Sequence, residues 1–177
     1  MPKETDTPRS RKLRLRKPDA EDGAAIWELV RRCEPLDRNS MYANLIQADH
    51  FRDTCVVAER DGEIVGWISG HMIPGEEAFF AWQVAVSPDA RGLGLGATML
   101  FELVNRDEIA DADALKTTIT RDNAASWGLF RSFARKIGGE LTDAPYFKQD
   151  EHFDGAHDTE HMVTITLPEI ADIKRAA

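Results

Sequence analysis

Between Val84 and Leu100 the chain reads VAVSPDARGLGLGATML, a short apolar strand followed by one arginine and three closely spaced glycines. Leu95, Met99, Leu100, Leu103 and Val104 recur at helical spacing, so Gly92, Gly94 and Gly96 stand at the start of an amphipathic helix. Each glycine in a helix costs about 1 kcal/mol relative to alanine. A bound phosphate explains why the sequence accepts them. The first helical turn has free N–H groups and a partial positive charge, and glycines let an anion approach them directly. Arg91 adds a charge-assisted contact. The spacing excludes two common phosphate loops. A P-loop needs Gly-Lys-Ser/Thr, and no lysine is present; a GxGxxG fingerprint fails because Met99 takes the last glycine's place. That fingerprint also belongs on the first βαβ unit, whereas this turn lies halfway along the chain.

His152, His157 and His161 alternate with Asp154, Asp158 and Glu160 near the C-terminus. Their intervals match no standard zinc spacing, so no metal is expected; an active-site lid or a dimer contact is the expected use. Cys33 and Cys55 are too few for a disulfide framework and read as reduced, half-buried thiols in a cytoplasmic protein.

Charge is divided unevenly. Residues 1–17 carry seven Lys/Arg against Glu4 and Asp6, whereas the other 160 residues carry 15 basic against 29 acidic side chains. An acidic domain of this kind argues against nucleic-acid binding, which needs clustered cations, and suits a cationic small substrate. No apolar stretch approaches the ~18 residues of a membrane span, and no h-region follows the basic N-terminus, so neither a membrane partner nor secretion is expected.

The elements that must position these groups follow from pattern. Residues 13–18 alternate and end at a proline, a short strand. A helix follows, with Asp19 as N-cap and Ile26, Val30 and Cys33 on one face. Residues 37–51 predict a second helix, packed through Met41, Leu45 and Ile46. Residues 54–73 predict a hairpin turning at Asp61–Gly62. Residues 78–86, apolar almost throughout, predict a central strand. After the glycine turn a helix runs to about Arg106, then a strand over 114–120, a helix over 123–139 ended by glycines, a loop over 146–159 and a terminal strand over 160–167. With no interdomain linker, this predicts one α/β domain over 13–167, with a mixed sheet of six to seven strands and about four helices. A disordered basic leader over 1–12 and a tail over 168–177 flank it.

The Arg-Gly-x-Gly-x-Gly turn after VAV resembles the pyrophosphate-binding turn of the GCN5-related N-acetyltransferases, and TRDNAASWGLF resembles their segment after strand five. The resemblance implies that acetyl-CoA is the donor, held by Val84, Val86, Arg91, Gly92, Gly94, Gly96, Asn123, Ser126 and Phe130. At Phe130, many members carry the tyrosine that protonates the leaving thiolate. Three further segments, Pro35 to Tyr42, Trp82 to Val86 and His157 to Glu160, resemble the L-2,4-diaminobutyrate acetyltransferases of ectoine biosynthesis. That resemblance implies a homodimer acting on the γ-amine of diaminobutyrate, with Asp37, Asn39, Tyr42, Trp82, His157 and Glu160 at the substrate and Asp37, Trp82 and Glu160 catalytic. Another small amine as acceptor, or a non-catalytic acyl-CoA sensor, are the competing readings.

The chemistry agrees. Diaminobutyrate carries two ammonium groups and one carboxylate, so its site should offer carboxylates and an aromatic wall. An alkylammonium pKa near about 10.4 means that a base or a desolvating pocket must free the amine. Glu160 and Asp37 are each candidates for base or ammonium anchor. Glu160, at a loop-to-strand edge, is the favoured base, with Asp37 the anchor and Trp82 walling the aliphatic chain.

Overall fold

The computed structural model describes residues 12–34, 36 and 38–169. Asp37, the basic leader up to position 11 and the tail from 170 lie outside the described residues.

Strands β1 (Leu13–Arg16), β2 (Val56–Arg60), β3 (Glu63–Met72) and β4 (Ala78–Val86) follow one another antiparallel. Strand β4 pairs in parallel with β5 (Ala114–Thr120). Strands β6 (Leu141–Phe147) and β7 (Glu160–Thr166) complete a seven-stranded mixed sheet in the order β1-β2-β3-β4-β5-β7-β6. Helices α1 (Gly23–Arg32) and α2 (Met41–His50) precede β2; α3 (Leu95–Val104) and α4 (Ala124–Ile137) flank β5; and α5 (Gln149–His152) is a single turn before β7. No described helix is long and apolar enough to cross a membrane.

The expected α/β fold holds: one mixed sheet and four long helices. The largest core lies under α3 and α4, where Ile68, Phe79, Met99, Leu103, Leu115 and Phe133 meet. A smaller one lies under α1, where Ile26, Leu29, Val57, Trp67 and Ala85 meet. The Asp61–Gly62 hairpin forms as its sequence demands, with φ of 57° and 84° at the two turn residues.

Five expectations are corrected. Strand β6 falls where no strand was expected, and α5 inside what was read as loop. Pro145, without an N–H, argues against a central strand but is tolerated on the edge that β6 occupies. Helix α1 starts later than expected: Asp19 leads into a 3-10 turn over Ala20–Asp22, donating its N–H to the Asp22 carboxylate at 2.9 Å. In α2 the buried residues are Asn44, Gln47 and Ala48, while Met41 is 39% exposed. The helix is rotated because Leu45 seats on Gly23 of α1, where a Cβ would come within 2.4 Å of Leu45 Cδ2. Inside, Asn44 Nδ2 donates to Gln47 Oε1 at 3.3 Å, while Asn44 Oδ1 and Gln47 Nε2 are buried without a hydrogen-bond partner. Finally, Cys33 and Cys55 are fully buried rather than half-buried.

Candidate active site

The parallel pairing of β4 with β5 covers only Ala78–Phe80 against Ala114–Lys116. Strand β4 continues to Val86 and β5 to Thr120, so the sheet opens between them. The opening has a chemical consequence. Ser87 N–H bonds Val65 O on the β3 side at 2.8 Å. The two-residue alternation of a strand therefore turns the backbone N–H groups of Val86 and Val84 away from β3, into the gap.

A bulge aims the aromatic wall. Ser69 pairs with Gln83 but Gly70 with Ala81, so Trp82 is the extra residue on β4. The slip explains an otherwise odd pattern. Phe79 and Ala81 belong to the larger core, yet Val84 and Val86 pack against the same core and Ala85 against the smaller one. Alternation has shifted by one at Trp82, which emerges 53% exposed beside the opening.

Two clefts meet there. One, of about 660 Å³, is bordered by Trp82, Gln83, Thr118, Asn123, His157 and Glu160. The other, of about 450 Å³, runs from Val84 and Val86 over the glycine turn to α4. Val84, Asn123 and Ser126 line both. The charges differ in sign. The larger cleft is lined by the carboxylates Asp122, Asp158 and Glu160 with no Lys or Arg among its described residues. The smaller holds Arg91 and Lys136, and its one carboxylate, Glu34, is bonded to Arg38 at 2.7 Å. The first suits a cation and the second an anion.

Glu160 opens β7, opposite Thr120 of β5 and Phe147 of β6. His161, Val163 and Ile165 are buried on one face of this strand, so period two turns Glu160 to the other, where its side chain is 17% exposed. His157 Nε2 lies 3.9 Å from Glu160 Oε1. The imidazole is held by its Nδ1 contact with Asp158 O at 2.7 Å and by the Phe153 ring at 4.7 Å. His152 and His161 point elsewhere, to the Lys148 N–H at 2.9 Å and towards Asp143 at 3.7 Å. No three His, Cys, Asp or Glu among the described residues are grouped to hold a metal.

At the glycine turn Gly92 and Gly94 have φ of 76° and 73°, the left-handed region in which other residues are strained. The helical ladder begins with Thr98 N–H to Gly94 O at 3.0 Å, so the N–H groups just before it have no intrahelical acceptor. Gly96 is needed for a different reason: a Cβ there would press to 3.1 Å from Leu129 of α4. Arg91 donates its Nε–H to Val86 O at 3.1 Å, which fixes the guanidinium beside the turn. Asn123 caps α4, its Oδ1 accepting the Ser126 N–H at 3.1 Å, and Trp127 Nε1–H ties that helix to Thr120 O at 3.0 Å.

Most of the expected site residues thus border the opening: Val84, Val86, Arg91, Gly92, Gly94, Gly96, Asn123 and Ser126 the anionic-ligand cleft, and Asn39, Trp82, Phe130, His157 and Glu160 the other. Tyr42 is 71% exposed on α2 and lines neither cleft. Gln83, Thr117, Asp122, Asp158 and Lys136 also line the clefts and were not anticipated. Gln83 did carry a signal, as the lone polar residue in AFFAWQVAV.

Comparison with known proteins places this geometry. The acetyltransferase (GNAT) family model matches residues 23–134. The L-2,4-diaminobutyric acid acetyltransferase of Halomonas elongata is 46% identical over 155 residues, 86% of this chain and 80% of that protein. The Vibrio cholerae protein of the same name is 44% identical over 154 residues, 86% of this chain and 89% of its own length. The structure of the diaminobutyrate acetyltransferase EctA of Paenibacillus lautus, in complex with L-2,4-diaminobutyric acid and coenzyme A, superposes with a TM-score of 0.84 at 34% identity, covering 89% of this chain and 96% of that one. An open sheet whose two clefts suit an anion and a cation, with relatives this similar along most of the chain, leads to one assignment: the protein belongs to the L-2,4-diaminobutyric acid acetyltransferase family of GNAT acetyltransferases.

Proposed function

We propose that the protein transfers the acetyl group of acetyl-CoA to the γ-amine of L-2,4-diaminobutyrate, giving N4-acetyl-L-2,4-diaminobutyrate for ectoine synthesis under osmotic stress. The observation that carries this reading is the meeting of an anion-suited and a cation-suited cleft at Val84 and Ser126. The pyrophosphate lies on the glycine turn, with Arg91 beside it. The thioester then reaches the opening between β4 and β5, where the Val84 N–H faces the carbonyl oxygen that becomes the oxyanion.

The diamine enters the acidic cleft with its aliphatic chain against Trp82. Asp37 anchors one ammonium, and Glu160 takes the proton of the other. Asn39 and His157 complete the acceptor side in this proposal. The freed amine attacks the carbonyl carbon, a C–N bond forms, and collapse of the tetrahedral intermediate breaks the C–S bond. The thiolate takes its proton from the ammonium product or from water, because α4 contains no tyrosine and Phe130 has no proton to give. A thiol pKa near about 8.5 makes the thiolate a tolerable leaving group.

The enzyme acts in the cytoplasm as a homodimer. The exposed Met41 and Tyr42 on α2, and Tyr146 and Phe147 on the edge strand, support a partner surface.

The test is thiol release over a panel of amines, with product analysis. Turnover confined to diaminobutyrate, with acetyl on the γ-nitrogen, is expected. Equal turnover of a polyamine or an aminoglycoside overturns the acceptor, and cofactor binding without turnover of any amine overturns catalysis.

A further inference from the structure

The anion-suited cleft is longer than a pyrophosphate requires. Its α4 wall is formed by Ala125, Leu129, Ser132 and Lys136, a stripe at spacings that keep one helix face. Eleven residues separate its ends, about 16 Å at the helical rise. Gly96 sits level with Leu129, where a Cβ would come within 3.1 Å of the leucine. Ser126, at the other end, lines the wall that the two clefts share. Moving along the stripe from Leu129 to Lys136 therefore leads away from the reaction centre.

Coenzyme A has the matching order of parts. Its thiol arm lies on one side of the pyrophosphate, and on the other lies adenosine carrying a third phosphate at the ribose 3′ position. We propose that Lys136, with the Ser132 hydroxyl one turn before it, holds that 3′-phosphate. The proposal rests on the glycine turn as the pyrophosphate site.

Charge supports the assignment. Arg91 and Lys136 are the cations lining the cleft, and among the described residues neither is in an ion pair. Arg91 is fixed to Val86 O beside the turn, which leaves Lys136 for the distal phosphate. Its flexible stem and three donors suit a phosphate monoester. A cation in the last turn of α4 also complements the helix dipole, but Arg135 meets that need equally and lines neither cleft.

Isothermal titration of the full chain with coenzyme A and with 3′-dephospho-coenzyme A tests the contact, using the parent protein, Lys136→Gln, Arg135→Gln and Gly94→Val. The parent should prefer coenzyme A by about tenfold, the ratio that one charge-assisted contact supplies. Lys136→Gln should erase most of that preference by weakening coenzyme A alone, while Arg135→Gln keeps it. A parent with no preference, a Lys136→Gln protein that keeps the parent's preference, or an equal loss in Arg135→Gln overturns the contact. Should Gly94→Val bind coenzyme A as the parent does, the glycine-turn reading itself fails. If only Gly94→Val loses affinity, that reading stands and Lys136 is excluded.

Discussion

At the scale of single residues, the proposed acceptor groups should separate by the kinetic constant that each would control. Trp82→Ala removes an apolar wall without touching a charge, and should raise the diaminobutyrate KM about tenfold with a smaller change in kcat. Asp37→Asn, as the loss of an anchor, should raise KM and loosen the choice between α- and γ-amines. Glu160→Gln, as the loss of a base, should lower kcat and displace the rate profile towards alkaline pH, where the amine deprotonates by itself. Steady-state kinetics with product analysis separates the three; if all stay within a few-fold of the parent, the acceptor site is wrong. Phe130→Tyr should be nearly neutral, and a large gain in kcat would show that thiolate protonation limits the rate. A different residue-scale effect concerns Cys55. Burial pushes its thiol up to about 12, against backbone and Arg106 contacts that pull the other way. A thiol pKa raised in the folded state stabilises the fold below the ordinary thiol range and loses that contribution as pH rises from about 9 towards 12. Iodoacetamide at pH 8 should therefore spare Cys55 in the folded protein and alkylate it in guanidinium.

At the scale of elements, the glycine turn is a backbone device. Gly94 has φ of 73° and open space where a Cβ would stand. Gly94→Val should strain the turn and fill the phosphate position, raising the acetyl-CoA KM strongly. Gly75→Val is the matching control, since Gly75 has φ of 81° and equally open space in the β3–β4 connection. It should lower stability without changing cofactor affinity; equal cofactor effects in both variants would reduce the turn to a folding feature. The start of α1 is joined to the sheet by another local device. Arg16 of β1 donates to both Asp22 oxygens at 2.7 and 2.8 Å and to Glu59 of β2 at 3.0 Å. Burial alone would raise the Asp22 pKa, but the Arg16 hydrogen bonds and charge hold it below the usual carboxylate value of 3.8. The contribution is thus complete above that value and lost as pH falls through the lower folded one. Asp22→Asn should lower stability at pH 7 by about 2 kcal/mol, between an exposed and a buried pair. Chemical denaturation should show that deficit shrinking as the parent is acidified.

At the scale of the whole molecule, the sheet's asymmetry matters most. Helix α1 covers the β2–β4 half on one face, and α3 and α4 cover the other face. The half that carries Thr118, Glu160 and Met162 forms part of the acidic cleft and ends in the exposed edge strand β6. A homodimer predicts a sedimentation mass of about twice 19.8 kDa. A monomer under assay conditions would assign full activity to one chain and remove the dimer from the proposal. The net charge of −9 predicts a second effect at this scale. Salt should raise KM for diaminobutyrate, a net cation, by screening, most steeply below ~0.15 M.

Much of this was local and so legible in the sequence. The Asp61–Gly62 turn and the glycine turn at the start of α3 depend on residues within a few positions of one another, and residue type alone constrains such geometry. The family segments and the donor cleft followed the same logic, since a glycine turn carries its chemistry in its own backbone. What only the tertiary structure decided depends on pairing across long separations. The bulge that projects Trp82 arises from the register of β4 on β3, and the opening arises because β5 leaves β4 after three paired positions. Strand β6, with its proline, exists because β7 offers it an edge. The polar burial of α2 follows from where Leu45 lands on Gly23. None of these is a property of a short segment: each is a choice among registers and rotations of similar local energy, and packing between distant residues makes the choice.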